Sequence, residues 1–301
     1  MNMQNPFGQI LTAMVTPFKD DLSIDYEACE KLINHLIKTG TDTIVVAGTT
    51  GESPTLTHEE EFELCKFVKK TVNGKTKIVL STGSNCTRTA VESTKKANAL
   101  GIDGILSVVP YYNKPSQAGL LAHFSEIAKV TDLPIILYNI PGRTGINMEP
   151  STTAELSHKF KNISAYKDAT GNLEHTSQVI QLCPKGFLVF SGDDGLLLPM
   201  LSVGAVGVIS VASHLFGIEM KDMIKFYLEG KIDRAKEVHN ILFPVFKALF
   251  KAPNPTCVKA ALELKGIIKS NLRLPLVKLN EKDLNELKSI IEQTEKQLIK
   301  V

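Results

Sequence analysis

Two residues in this chain are placed to do carbonyl chemistry. Tyr138 and Lys167 each close a short apolar run, Leu133-Pro-Ile-Ile-Leu-Tyr-Asn139 and Ile163-Ser-Ala-Tyr-Lys-Asp168. If both runs are strands, a phenol and an amine stand at the mouth of one sheet. A lysine drawn out of water loses part of its ammonium's hydration, so its pKa falls and the free amine becomes a nucleophile toward carbonyl carbon. A tyrosine beside it can shuttle protons. Residue pattern by itself favours a plainer arrangement, with Lys167 leaving its strand into solvent and Tyr138 packed with its hydroxyl wet. The rest of the chain reverses that balance.

The elements that must hold the pair repeat. Eight β-rich runs alternate with longer amphipathic segments as far as residue 228: Ile10 to Thr16, Thr43 to Ala47, Lys77 to Thr82, Gly104 to Val109, Ile135 to Asn139, Ile163 to Lys167, Phe187 to Ser191 and Gly207 to Val211. Helical periodicity fills the gaps, most clearly at Asp25 to Lys38, Glu59 to Val72, Arg88 to Leu100 and Gln117 to Val130. Thr57 followed by Glu60 forms a candidate capping box. The junctions Thr39-Gly-Thr-Asp-Thr43, Leu100-Gly-Ile-Asp-Gly104 and Val203-Gly-Ala-Val-Gly207 share a first glycine suited to the left-handed cap that ends a helix.

Eight such βα units predict an α/β fold, a (β/α)8 TIM barrel. A doubly wound sheet would usually have fewer strands and often a Gly-x-Gly-x-x-Gly turn, which this chain lacks. Beyond residue 228 the runs at Lys231 to Phe250, Pro255 to Lys265 and Asn280 to Leu298 all read as helices. The expected organisation is a catalytic barrel over residues 1–228 and a C-terminal α-helical domain over 229–301.

Composition narrows the function. With 34 basic against 32 acidic side chains, the formal charge of +2 gives no electrostatic reason to expect nucleic acid or an anionic membrane. Cys29, Cys65, Cys86, Cys183 and Cys257 form no Cys-x-x-Cys pair, so neither a disulfide framework nor a zinc site is expected. The start, Met-Asn-Met-Gln-Asn-Pro, has no basic region followed by an apolar one, so no signal peptide is expected and a reducing cytoplasm fits best. The apolar stretch from Leu196 to Ala212 is broken by Pro199, Gly204 and Gly207 and reads as a helix turning into a strand, not a membrane span.

Barrels of this kind place their chemistry in the loops that follow the strands. Here those loops carry Thr16-Pro17, Gly48-Thr-Thr-Gly-Glu-Ser53, Gly83-Ser-Asn85, Pro110-Tyr-Tyr-Asn113, Ile140-Pro-Gly-Arg-Thr-Gly145, Asp168-Ala-Thr-Gly171, Gly192-Asp-Asp194 and Ala212-Ser213. Hydroxyls, phenols, one arginine and one lysine converge there, a rim that offers hydrogen bonds to a small carboxylate and an amine to attack its ketone. Taken singly, each feature has a plainer reading. Gly48-Thr-Thr-Gly51 fits a tight turn and lacks the Gly-Lys-Ser/Thr ending of a P-loop. Asp193 and Asp194 fit the first turn of a helix, and Arg143 fits a surface charge. The seven histidines have no metal-ligand spacing and are assigned no catalysis.

Taken in order, Gly48-Thr-Thr-Gly-Glu-Ser53, Pro110-Tyr-Tyr-Asn-Lys-Pro-Ser116, Tyr138-Asn-Ile-Pro-Gly-Arg-Thr-Gly145, Tyr166-Lys-Asp-Ala169, Ser191-Gly-Asp-Asp194 and Pro253-Asn-Pro255 resemble the dihydrodipicolinate synthase family of class I pyruvate-dependent aldolases. The likeness runs essentially end to end. It implies that Lys167 forms a Schiff base with pyruvate, and that Thr49, Tyr138 and Tyr112 form a proton relay, Tyr112 reaching into a neighbouring subunit. It implies further that Thr49 and Thr50 hold the pyruvate carboxylate, that Arg143 clamps the carboxylate of L-aspartate 4-semialdehyde, and that Gly192 and Ile209 line the pocket through their backbone. The product would be 4-hydroxy-tetrahydrodipicolinate, on the way to diaminopimelate and lysine. No cofactor or metal is expected, and the assembly would be a homotetramer built as a dimer of dimers.

Ser53, His58, Asn85 and Tyr111 match the family's allosteric positions for L-lysine. Thr89, however, stands where lysine-sensitive members carry glutamate, and Glu61 where they carry histidine, so the resemblance implies weak inhibition or none, with Glu61 as the candidate replacement carboxylate. Relatives such as N-acetylneuraminate lyase or a 2-keto-3-deoxy sugar acid aldolase share the lysine and tyrosine but take long polyhydroxylated acceptors. A guanidinium fork at Arg143 suits a carboxylate better than a sugar hydroxyl. A non-catalytic barrel that binds a keto acid is the remaining alternative, and it has no use for a Schiff-base lysine.

Overall fold

The computed structural model of the protein describes residues 5–299. Residues 1–4, read above for a leader, and the last two residues of the expected tail lie outside the described residues. Eight strands form where eight were expected: β1 (Ile10–Ala13), β2 (Thr43–Val46), β3 (Lys77–Ser81), β4 (Gly104–Val108), β5 (Ile135–Asn139), β6 (Ile163–Asp168), β7 (Leu188–Ser191) and β8 (Gly207–Ser210). They follow one another in sequence order as a closed barrel. Most apolar runs overshoot their strand, because burial continues into the loop after ladder geometry stops. Met14 and Thr16 lie beyond β1 and remain buried, and the Thr16 hydroxyl donates to Gly51 O at 2.7 Å.

The helices are α1 (Tyr26–Lys38), α2 (His58–Val72), α3 (Thr87–Asn98), α4 (Gln117–Ala128), α5 (Pro141–Thr144), α6 (Pro150–Lys159), α7 (Leu173–Leu182), α8 (Leu197–Ser202), α9 (Ser213–Leu228), α10 (Ile232–Ala248), α11 (Thr256–Leu264) and α12 (Glu281–Leu298). Helices α6, α7 and α9 fill the remaining gaps between and after the strands, and α5 is a single turn of four residues. By packing, the described residues divide into two compact units: Ile10–Thr76 with 210–299, and 5–9 with 77–209.

In the first unit β1 pairs parallel with β2. Helix α1 buries Cys29, Leu32, Ile33 and Leu36, one face of a 3.6-residue period, and Asp25 caps it by accepting from Ala28 N. The capping box at Thr57 and Glu60 forms with both of its hydrogen bonds. The three helices expected beyond residue 228 are α10, α11 and α12, of which α10 packs against both α9 and α12.

In the second unit β3 to β8 pair parallel, each with the next. Across β5 and β6 the register sets Tyr138 beside Lys167 and Asn139 beside Asp168. The junction glycines behave as expected in both units: Gly40, Gly101 and Gly204 have φ of 89°, 61° and 108°, the left-handed region open to glycine. The stretch after Pro199 passes from α8 into β8 as read, and no helix among the described residues is long and apolar enough to cross a membrane.

Candidate active site

Side chains alternate across a strand, and β6 uses both faces. Tyr166 and Asp168 turn toward α7, where the Tyr166 hydroxyl shares a 3.0 Å hydrogen bond with His175 and Asp168 accepts from Thr176 Oγ1 at 2.8 Å. Lys167 must therefore face the barrel interior. It is only 7 % exposed, and its Nζ lies 4.2 Å from the centre of the Tyr138 ring. Burial is the main force on this amine. It pulls the ammonium from 10.5 down to about 8, with Asp194 opposing the shift and Arg143 reinforcing it. The plainer reading of a lysine leaving its strand into solvent is thereby overturned for this residue.

The loop after β7 separates the two aspartates. Asp193 caps the following turn by accepting from Gly195 N at 2.8 Å, as expected. Asp194 also begins that turn, but it is buried, and its charge acts on Lys167. Between β7 and Asp193, Gly192 donates its N–H to Asp168 O at 2.7 Å. A Cβ there would come within 2.7 Å of Ala169 Cβ, so the close approach of this backbone to β6 requires glycine. Ile209 is buried on β8.

The loop after β5 carries Arg143 on α5, exposed to solvent. Asn139 anchors that loop, donating to Asn147 Oδ1 at 2.7 Å and accepting from Met148 N at 3.1 Å. After β4, Tyr111 is partly exposed, and Asn85 Nδ2 donates to its carbonyl at 3.2 Å. Tyr112 projects outward at 89 % exposure, with a left-handed φ of 73°. A bulky residue in that region is strained, at a cost of about 1–3 kcal/mol.

In the other unit, the Gly48-Thr-Thr-Gly51 turn after β2 is bounded by two further left-handed non-glycine residues, Ala47 at φ 53° and Glu52 at φ 58°. It closes through Gly51 N to Gly48 O at 3.0 Å and Glu52 N to Thr49 O at 3.1 Å. Thr49 is part-exposed, whereas Thr50 is buried and its Oγ1 accepts from Asn254 Nδ2 at 2.8 Å. Next along, Ser53 Oγ donates to Glu61 Oε1 at 2.5 Å, and His58 Nδ1 meets Glu61 Oε2 at 3.0 Å.

The same unit holds a second buried lysine that the sequence reading passed over. Lys259, 0 % exposed, forms an ion pair with Glu52. Burial pulls its ammonium down to about 8, against the pull of the Glu52 carboxylate. The two lysines differ in what surrounds the nitrogen. Lys259 is committed to Glu52 and to Asn271 O, while Lys167 lies over the face of a tyrosine ring. Of the two, Lys259 has its nitrogen spent on a carboxylate and a carbonyl oxygen, which leaves Lys167 as the candidate nucleophile. The signal for Lys259 lay in Thr256-Cys-Val-Lys-Ala-Ala-Leu262, a lysine inside an apolar helical run. No group of histidine, cysteine, aspartate and glutamate among the described residues could hold a metal ion.

A parallel barrel with a buried, partly neutral lysine at the carboxyl end of β6 defines a class of protein built for imine chemistry. The model of the Dihydrodipicolinate synthetase family matches residues 6–294. A 4-hydroxy-tetrahydrodipicolinate synthase of Prochlorococcus marinus is 51% identical over 290 residues, 96% of this chain and 96% of its own length. Among solved structures, the 4-hydroxy-tetrahydrodipicolinate synthase of Methylacidiphilum fumariolicum SolV superposes with a TM-score of 0.95 at 45% identity, covering 97% of each chain. A dihydrodipicolinate synthase of Cyanidioschyzon merolae solved with lysine bound gives 0.94 at 46% identity, covering 96% of this chain and 98% of its own. The chain belongs to the dihydrodipicolinate synthetase family.

Proposed function

We propose that the chain condenses pyruvate with L-aspartate 4-semialdehyde to give 4-hydroxy-tetrahydrodipicolinate, with Lys167 as the Schiff-base residue. The observation that carries this reading is the state of Lys167: buried, its ammonium pulled down to about 8, and set over the ring of Tyr138. Its amine adds to the ketone of pyruvate and water leaves. The protonated imine then withdraws electrons, so a methyl proton departs and an enamine forms. The enamine carbon attacks the aldehyde, making the new carbon–carbon bond. The amino group brought by the semialdehyde then adds to the imine carbon, closing the ring and expelling the lysine amine.

The resemblance supplies the other roles. Thr49, Tyr138 and Tyr112 relay protons, Thr50 with Thr49 holds the pyruvate carboxylate, Arg143 binds the carboxylate of the second substrate, and Gly192 and Ile209 line the pocket through their backbone. The exposure of Tyr112 supports the idea that it completes the site of a neighbouring copy, which makes a dimer the smallest complete unit and a dimer of dimers the expected tetramer. A cytoplasmic biosynthetic role fits this chemistry. The test is a coupled assay offering pyruvate with aspartate semialdehyde beside pyruvate with N-acetylmannosamine. Turnover of the semialdehyde alone supports the reading, and turnover of the sugar alone sinks it.

A further inference from the structure

Lys259 stands on α11, in a run where every residue from Thr256 to Leu262 is buried. Its ammonium donates to Glu52 and to Asn271 O, the latter at 2.7 Å, and lies 4.2 Å from the centre of the Phe18 ring. The other Glu52 oxygen accepts from Arg273 N at 3.0 Å. Glu52 is therefore gripped from two sides, and it is the residue that ends the Gly48–Glu52 turn in the left-handed region. Five positions before Lys259, Asn254 donates to the Thr50 hydroxyl inside that turn. A hydroxyl that has accepted from an amide keeps its own hydrogen for a different acceptor.

We propose that Lys259 is a positioning residue: acting through Glu52, it fixes the Gly48–Glu52 turn so that the Thr50 hydroxyl accepts from Asn254 and donates its hydrogen to the carboxylate of pyruvate. The inference rests on the assignment of Thr50 to that carboxylate. Stability alone does not call for this pair, since a buried ion pair replaced on both sides by uncharged groups of similar size is frequently neutral or stabilising. An uncharged pair cannot, however, supply several directed hydrogen bonds to a carboxylate on a strained turn. Replacing both partners separates the two roles.

The variant is E52Q/K259M, which removes both buried charges and preserves volume. It is expected to melt within a few degrees of the parent while its KM for pyruvate rises about tenfold, the loss of one well-aligned hydrogen bond. The rise should come with a fall in kcat of less than about threefold and an unchanged KM for the semialdehyde. Asn254→Ser keeps the ion pair, removes the donor to Thr50, and should show the same split, so it decides the matter if E52Q/K259M does not fold. A folded E52Q/K259M with the parent's pyruvate KM overturns the inference, as does an unchanged KM in Asn254→Ser when the double variant does not fold. Thr50→Val locates the fault: if it raises the pyruvate KM while the other variants do not, the Thr50 assignment stands and the role of Lys259 falls alone. If Thr50→Val changes nothing, the assignment has failed and takes the inference with it.

Discussion

The Nζ of Lys167 lies 4.2 Å from the centre of the Tyr138 ring, and the β5–β6 register that pairs the two residues holds it there. An aromatic face attracts an ammonium, though more weakly than water hydrates it. Burial therefore prevails, and the amine titrates near 8.

From this follows a pH profile for imine formation. The nucleophile is the deprotonated amine, so trapping of pyruvate on Lys167 by cyanoborohydride should be slow below about pH 8 and rise through it. Asp194 holds the proton on and Arg143 pushes it off, so Asp194→Asn should move the midpoint down and Arg143→Ala should move it up. Mass spectrometry of the adduct against pH measures all three. Shifts in the opposite order, or labelling of another lysine, would defeat the assignment.

Stability should carry the mirror image of that profile. The folded pKa of Lys167 lies below its unfolded value of 10.5, so burying the charged form costs stability at neutral pH, and the cost is recovered as pH rises from about 8 toward 10.5. Lys167→Met is expected to raise Tm at pH 7 and to lose that advantage progressively above pH 8. Thermal melts at a series of pH values test this, and a variant that is equally stabilised at pH 7 and pH 10 contradicts it.

Arg143→Ala should abolish most turnover with the semialdehyde while the pyruvate adduct still forms at a pH above its raised midpoint. The guanidinium is assigned to the second substrate alone, and losing a charge-assisted pair costs roughly 1.5 to 3 kcal/mol, about ten- to a hundred-fold in kcat/KM. Its exposed position on α5 is consistent with a group that waits for a ligand. Failure of the adduct itself would show that the arginine has been given the wrong role.

The fold was legible because a βα module repeated eight times leaves few other topologies, and because glycines such as Gly40 and Gly204 mark helix ends by a conformation other residues avoid. Lys167 and Tyr138 were legible as the last residues of apolar runs. The charges that act behind the site were not. Asp194 looked like a second capping residue beside Asp193, since local pattern says nothing about which of two neighbours turns inward. Glu52 and Lys259 are 207 residues apart, so neither could be read as half of a pair, and a buried charge is intelligible only with its partner.

Tyr112 bears on assembly. At 89 % exposure and φ 73° it is a large aromatic held outward by a strained backbone, which a solvent-facing role does not require. If it completes the relay of a neighbouring copy, activity should fall as the assembly is diluted toward monomers. Tyr112→Phe should slow catalysis without dissolving the oligomer, since the substitution keeps the ring. Sedimentation at assay concentration is the measurement, and a fully active monomer would overturn the idea.

L-lysine should inhibit this enzyme weakly or not at all, if Ser53, His58, Asn85 and Tyr111 are the effector positions that the resemblance implies. Thr89 lacks the carboxylate that would meet an ammonium of the effector, and losing such a charged hydrogen bond costs roughly 1.5 to 3 kcal/mol, weakening binding about tenfold or more. Glu61 was the candidate replacement. Its two oxygens, however, are already met by Ser53 Oγ and His58 Nδ1, and the residue is buried, so an arriving ammonium would have to displace both partners. Glu61→Gln should consequently leave the lysine response nearly unchanged, while Thr89→Glu should strengthen it. Inhibition curves at saturating pyruvate, paired with calorimetric titration of L-lysine into the parent and both variants, decide the point. Half-inhibition of the parent at submillimolar lysine, abolished in Glu61→Gln, would mean that the glutamate gives up Ser53 and His58 for the effector.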